Sequence, residues 1–498
     1  MRTPPNREAI DTNLYQPVSL SKRVVRGGVW LFALRITNRG LGFIRTIILA
    51  RLLLPEDFGI LGIAMLATST LDSLSQTGFQ SALVQKKGDV NEYLDVAWTT
   101  LAVRGVILFF ILFLSAPLIA TFFSSTQAKL VIMVVAVNML LTGFGNIGIM
   151  FFQKELEFNK QFLYELSATL VDLAVSISLA FILRNVWALV WGGIAKNCAR
   201  FILSYVLHPY RPRIRFEKEK FQDLFGFGIW VSGSTILIFL ITQGDDIFVG
   251  KMLGVTALGF YQMAYMLSNL PVTEITDVIS RVTFPAYSKL QNDLTKLREA
   301  YLQVLQLTAY ISIPLAAGIF VLGAEFTRIF LGQKWIPIVP AIQFLALAGL
   351  VGSITATTRP IFHGVGKPKF DTIWQVVRLL ILVAVIYPLG MRWGIAGTAI
   401  AVLISSVFSA VGFNLTAIRI TGCDFQSFGK MTILPLINAG FMVLIITVVK
   451  TSINYVSFWQ FLLLIGAGLT SYLFMTYLFE RLVHYGIRGV IREIFSSL

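Results

Sequence analysis

Charge is scarce in this chain. Of 498 residues only 13% are charged, against about a quarter in an ordinary soluble domain, and that shortage excludes most soluble readings. Cysteine occurs twice and histidine three times. Two cysteines cannot build a disulfide scaffold. Cys198 falls in an apolar run and Cys423 near a basic connection, so neither suggests a pairing. His208, His363 and His484 are scattered and, with two distant cysteines, offer no metal site. A Walker A motif is missing as well: five residues separate Gly244 from Gly250-Lys251, and Met252 follows. Gly364-Val365-Gly366-Lys367-Pro368 reads as a turn. No cofactor is therefore expected, and the chain is not expected to be an enzyme.

What is abundant is apolar surface. Hydrophobic residues make up 56% of the chain and aromatics 13%, with a mean hydropathy of +0.75, which excludes disorder. Stretches of about 20 apolar residues read as membrane-spanning helices. They fall near 28–50, 59–84, 96–119, 128–150, 162–183, 186–206, 224–249, 256–282, 302–322, 337–359, 371–391, 394–418, 431–449 and 458–478. The expected fold is thus all-α and polytopic, with about fourteen transmembrane helices and short connections that leave no room for a soluble catalytic domain.

The 41 Lys and Arg against 26 Asp and Glu would suggest nucleic acid in a soluble chain. Here their positions argue for orientation instead. Alternate connections carry Lys22, Arg23 and Arg26; Lys86 and Lys87; Lys154 and Lys160; Arg211, Arg213, Arg215, Lys218 and Lys220; Arg281, Lys289, Lys296 and Arg298; Lys367 and Lys369; Arg419 and Lys430. The opposite connections hold mostly one basic residue each. By the positive-inside rule both termini are expected in the cytoplasm. Residues 1–20 lack the apolar core of a signal peptide, so 1–27 reads as a cytoplasmic leader. The longest basic connection, 208–220, divides a first lobe at 28–207 from a second at 221–420, with two further helices and a basic tail at 421–498.

An internal repeat supports that division. Ala50-Arg51-Leu52-Leu53-Leu54 and Phe58-Gly59 lie in register against Gly250-Lys251-Met252-Leu253-Gly254 and Leu258-Gly259. Six helices separate the copies, so the lobes are expected in one orientation about a pseudo-twofold axis along the membrane normal. Transporters with such repeats bind substrate between the lobes and work by alternating access.

Some charges lie where they are expensive, at least ~2.5–3.5 kcal/mol each at mid-bilayer. On the first helix Arg35, Asn38, Arg39, Gly42, Arg45 and Thr46 share an arc of about 120° at 100° per residue, with Phe32, Ile36, Phe43 and Ile44 opposite. Arg39 lies too deep to snorkel easily. Arg104 and Arg378 are also interior, and these arginines are candidate cavity cations for an anion such as phosphate, which guanidinium pairs in two-pronged geometry. Asn38, Thr46 and Gln76 are candidate polar cavity residues. Asp72, Asp245, Asp246 and Glu274 are candidate sites for a coupling proton or Na⁺, each with a structural ion pair as the alternative. Transport of an anion outward could also draw on the membrane potential.

Arg51-Leu52-Leu53-Leu54-Pro55-Glu56-Asp57-Phe58-Gly59, Gly78-Phe79-Gln80-Ser81-Ala82-Leu83-Val84-Gln85 and Ile279-Ser280-Arg281-Val282-Thr283-Phe284-Pro285-Ala286 resemble the Wzx-type polysaccharide flippases, in particular the colanic-acid exporter branch. These belong to the multidrug/oligosaccharidyl-lipid/polysaccharide exporter superfamily. The resemblance holds in order over 1–420 and implies two six-helix lobes, MATE-like, plus two C-terminal helices. The activity it implies is flipping of an undecaprenyl-diphosphate-linked oligosaccharide from the cytoplasmic to the periplasmic leaflet of a bacterial inner membrane, ahead of polysaccharide polymerase machinery. Arginines on the first helix line the cavity of related flippases, which fits Arg35, Arg39 and Arg45. A cation-coupled multidrug exporter and a polytopic glycosyltransferase or polymerase are the alternatives.

Overall fold

The computed structural model describes residues 20–75, 79, 83, 90–219, 238–453, 456–483, 486, 487 and 489; for 20–29, 31, 32, 270–282 and 483 it describes the backbone alone. Residues 1–19, Gln76 and the side chain of Glu274 therefore lie outside what it describes, whereas 20–27, expected as part of the leader, already form the first turns of the first helix. Among the described residues all regular structure is helical.

The helices are α1 (Leu20–Leu52), α2 (Pro55–Leu74), α3 (Asn91–Phe122), α4 (Thr126–Gly143, with a break at Ala136), α5 (Phe158–Leu183) and α6 (Trp187–Leu207). After the connection come α7 (238–253, its last turn a π-turn), α8 (Val255–Leu290), α9 (Leu294–Phe326, continued by a π-turn to Leu331) and α10 (Val339–Gly364). The run Lys369–Thr421 breaks at Gly394 (φ 58°, ψ −137°), which separates α11 from α12. Last are α13 (Phe425–Thr451) and α14 (Phe458–Val483). Nine stretches among the described residues are long and apolar enough to cross a membrane. Most of the helices run a few residues beyond the apolar spans, because the hydrogen-bonded ladder continues into the polar interface while hydropathy falls.

Local chemistry sets the boundaries. Pro55 occupies the first turn of α2, where its missing N–H costs nothing. The Asp57 carboxylate turns back to accept the Leu54 N–H at 2.9 Å. α7 and α9 end alike, in a π-turn followed by a glycine at φ 95° (Gly254) or 99° (Gly332), a conformation that disfavours a Cβ.

Packing defines two faces. Leu290, Leu297, Val365, Phe370 and Phe428, from three of the basic connections, share one apolar cluster. At the opposite, charge-poor face the lobes meet through α2 and α8. A Cβ added to Gly59 would sit 1.9 Å from the Val255 carbonyl oxygen, and one added to Gly259 would sit 1.9 Å from that of Pro55. Residues paired by the sequence repeat thus make reciprocal contacts across the pseudo-twofold axis. Below them a core of Ile60, Ile63, Leu258, Tyr261 and Leu267 joins the lobes. Phe110, Leu114 and Leu118 on α3, Ile182 on α5, Val383 on α11, and Trp459 and Phe474 on α14 are exposed. So much uncovered apolar surface fits lipid as the surrounding solvent.

Candidate functional site

The cationic stripe of α1 divides by depth into the lobe. Arg45 points into the first lobe, where its Nη2 lies 2.8 Å from Asp172 Oδ1 and its Nε donates to Ser176 Oγ at 2.9 Å. Asp172 and Ser176 stand one turn apart on α5. Gly192 of α6 makes room for them, since a Cβ there would fall 2.6 Å from Ser176 Cβ. Beside this pair Arg200 is bonded to Glu165 at 2.5 Å, and Lys196 lies in electrostatic range of both carboxylates. Three cations against two carboxylates leave this interior one positive charge in excess. Thr46 donates back to the Gly42 carbonyl at 2.9 Å, while Asn38 Oδ1 is buried without a hydrogen-bond partner. Arg39 is exposed and Arg35 half-buried.

Arg104 of α3 reaches the end of α2. It donates to Asp72 Oδ1 at 2.5 Å, to Ser75 Oγ at 2.9 and 3.1 Å, and to the Asp72 carbonyl at 3.2 Å. A guanidinium at a helix C-terminus answers the orphan carbonyls there. Asp72 and Arg104, read from the sequence in separate roles, are thus one ion pair, and the Asp72 side chain is 58% exposed.

The second lobe holds an acidic pair. Asp245 is buried and accepts from the Tyr261 hydroxyl at 2.7 Å and from the Asp246 backbone N–H at 3.1 Å. Asp246 accepts from Gln262 Nε2 at 3.2 Å, and its other oxygen, Oδ1, is buried without a partner. The Gln262 amide in turn lies against Gly62 of α2, where a Cβ would meet its Oε1 at 2.3 Å. The carboxylates therefore sit just under the α2–α8 crossing. Arg378 of α11 lies in electrostatic range of Asp245, Tyr261 and Tyr265, with its Nε buried and unbonded. An unpartnered buried oxygen of this kind is what a proton or small cation would satisfy.

Between α1, α8, α9, α10, α13 and α14 lies a cavity of about 700 Å³ that helical periodicity does not mark. Its lining is apolar almost throughout, with Leu267, Pro314, Phe326, Met442 and Phe461 among the contributors, and among the described lining residues Arg39 is the one charged side chain. Phe43, expected on the apolar back of α1, lines this cavity and packs on Phe326 at 5.9 Å. Leu315, Leu469 and Leu473 on its wall are exposed, so the cavity communicates with the lipid side between α9 and α14. Only small residues at Gly318, Gly323 and Gly468 on facing helices hinted at it. Hydropathy cannot separate a helix face that lines a groove from one that meets lipid.

Residues 48–340 match the model of a family described as polysaccharide biosynthesis protein. The chain is similar to the lipopolysaccharide biosynthesis protein WzxC of Escherichia coli (strain K12), 24% identical over 397 residues, which are 79% of this chain and 80% of that protein. It is also similar to the succinoglycan biosynthesis transport protein ExoT of Rhizobium meliloti (strain 1021), 22% identical over 431 residues, 86% of this chain and 87% of the relative. Among solved structures it resembles the lipid II flippase MurJ in an inward closed conformation. The TM-score is 0.71 at 17% identity, over 92% of this chain and 99% of that one. At this identity the likeness concerns the fold alone.

Proposed function

The chain belongs to the polysaccharide biosynthesis protein family, and from that premise we propose that it flips a lipid-linked oligosaccharide between the leaflets of a bilayer by alternating access of its two lobes. The substrate would be an undecaprenyl-diphosphate-linked repeat unit, carried from the cytoplasmic to the periplasmic leaflet of a bacterial inner membrane. The basic face is then cytoplasmic, both termini lie on that side, and polymerase machinery receives the product. The observation that supports this most is the meeting of Arg39 with the apolar cavity of about 700 Å³. A lipid diphosphate has an anionic head and a long hydrocarbon chain, and the site offers a cation at the edge of a gallery as apolar as the bilayer. Such a gallery adds little affinity over lipid. It spares the chain from water while the head crosses, at about 0.8 kcal/mol for each CH₂ kept covered. The excess positive charge around Arg45, Lys196 and Arg200, with Arg35 and Arg39 further along the first helix toward the basic face, favours the diphosphate and repels the cations that drug exporters carry.

Turnover needs a driving force, and we assign it to a proton or Na⁺ gradient or to the membrane potential, with Asp246 and Asp245 as the coupling carboxylates. Arg39→Ala tests the flippase reading. At normal membrane levels it should abolish surface polysaccharide and leave lipid-linked units facing the cytoplasm; full export in that variant and in Arg35→Ala/Arg39→Ala would sink the assignment.

A further inference from the structure

The two outer turns that carry the sequence repeat do the same thing in opposite directions. Arg51, at the end of α1, crosses to the second lobe, where its Nε donates to the Phe330 carbonyl at 2.7 Å and its Nη2 to that of Ile329. Those carbonyls close the π-turn of α9 just before Gly332. Lys251, the counterpart of Arg51 in the repeat, stands at the end of α7 and crosses to the first lobe. It donates to the Phe122 carbonyl at 2.7 Å, its ammonium 4.8 Å from the Phe122 ring centroid. Phe122 is the last residue of α3. Each lobe's first helix therefore ends in a cation that caps the C-terminus of the other lobe's third helix. The last carbonyls of a helix lack partners within it and carry the negative end of its dipole.

We propose that Arg51 and Lys251 are paired positioning residues that hold the charge-poor face shut, and that their joint release admits the cavity to that face. The inference rests on the alternating-access reading above for the direction of the cycle. Both side chains are exposed, so water can replace the carbonyls when the lobes part, and the clasp is reversible. The Gly59–Gly259 crossing behaves differently: it is backbone against backbone and must move as a body. The clasp is also unequal. The end of α1 is held from the second lobe by Lys334, which donates to the Leu53 carbonyl at 2.5 Å and the Arg51 carbonyl at 3.0 Å, and by Trp335 Nε1, which donates to the Ala50 carbonyl at 2.8 Å. Lys334 brings a like charge beside Arg51, which favours release once the carbonyl bonds loosen.

The test uses the full chain in intact cells, with Cys198→Ser and Cys423→Ala and one reporter, Phe43→Cys, in the cavity wall. A membrane-impermeant maleimide is applied from outside. Arg51→Met with Lys251→Met should raise the labelling rate about tenfold, each single variant should fall between, and Arg51→Lys with Lys251→Arg should restore the parent rate. Parent-rate labelling in a double variant of normal abundance and monodispersity overturns the proposal. So does opening in the conservative pair, which would mean that shape rather than a carbonyl-seeking cation matters. Should the double variant fail to accumulate, Arg51→Gln alone is read in the same way, and unchanged labelling there is equally decisive against it. No substrate enters this assay. Opening in the double variant, with full export in the Arg39→Ala test above, would count against the flippase reading and leave the clasp standing.

Discussion

The ion pair between Arg45 and Asp172 separates a structural cation from a substrate cation, and its removal can be worked out in advance. At 2.8 Å and an effective dielectric of about 20, the gross attraction is about 6 kcal/mol. Taking both ions out of water costs several kcal/mol each, so the intact pair is close to neutral for stability. Removing one charge is different. Asp172→Asn leaves a guanidinium, only 19% exposed, facing an amide and Ser176, and should lower stability by about 3 kcal/mol. Arg45→Gln should cost a similar amount, by leaving Asp172 bare beside Ser176. The double variant Arg45→Gln/Asp172→Asn keeps a neutral hydrogen-bonded pair of similar shape and should recover to within about 1 kcal/mol of the parent, a coupling of several kcal/mol in the double-mutant cycle. Thermal unfolding of the purified protein in detergent, with membrane abundance alongside, measures this. If each single change moved stability by less than about 0.5 kcal/mol, on the scale of exposed pairs, the reasoning would fail, because Arg45 would then be solvated rather than paired. Export adds a second reading of the same variants. A stable double variant that exports normally makes Arg45 a strut of the first lobe; a stable one that exports nothing makes it a ligand of the lipid phosphate.

Other perturbations address the remaining parts. Gly59→Ala and Gly259→Ala each place a methyl 1.9 Å from a carbonyl oxygen, well inside contact distance, so the α2–α8 crossing must open. Outside-facing reporters should label faster in both variants and to a similar degree, and a large difference between them would refute the pseudo-twofold seal. Asp246→Asn removes a titratable oxygen without changing shape and should uncouple flipping from the imposed ion gradient while leaving substrate binding intact; gradient-dependent flipping at the parent rate in proteoliposomes argues against the coupling assignment. His208, beyond the end of α6, stacks on Phe151 with ring centroids 5.4 Å apart and accepts from the Tyr210 N–H at 3.2 Å. Burial lowers its pKa below the ordinary 6.5, with Glu155 and Glu157 opposing and Lys160 and Arg211 reinforcing. A depressed histidine binds more protons unfolded than folded, so its contribution is full above about pH 6.5 and is lost as pH falls through that range. Limited proteolysis of the 208–219 segment should accelerate from pH 7.5 to 5.5 in the parent and lose that pH dependence in His208→Gln.

Much of the architecture could be read directly, because in a bilayer the backbone must satisfy itself within each segment. An apolar run of about 20 residues then has few options besides a spanning helix. The alternation of basic connections, the lobe repeat and the arc of cations on α1 all follow from one-dimensional spacing. The repeat even marked the residues that meet: Gly59 with the α8 backbone, Gly259 with that of α2. Pairing was harder to see. Asp72 and Arg104 stand on different helices, as do Arg45 and Asp172, and no helical or loop spacing links such partners. From the sequence, Asp72 stood as a candidate coupling site, with an ion pair only as its alternative.

Composition and periodicity by themselves determined that this chain is a membrane-embedded helical protein of two related halves, with an arc of cations along its first helix. Hydrophobic length and charge position act locally along the chain, and that is why they are legible there. Tertiary structure alone decided which arginine is neutralised inside the first lobe and which lines the apolar cavity. It also decided that α13 and α14 wall that cavity and that Arg51 and Lys251 reach across the lobes. A helix's sequence states what each face could contact, and only the packing of its neighbours selects the contact made.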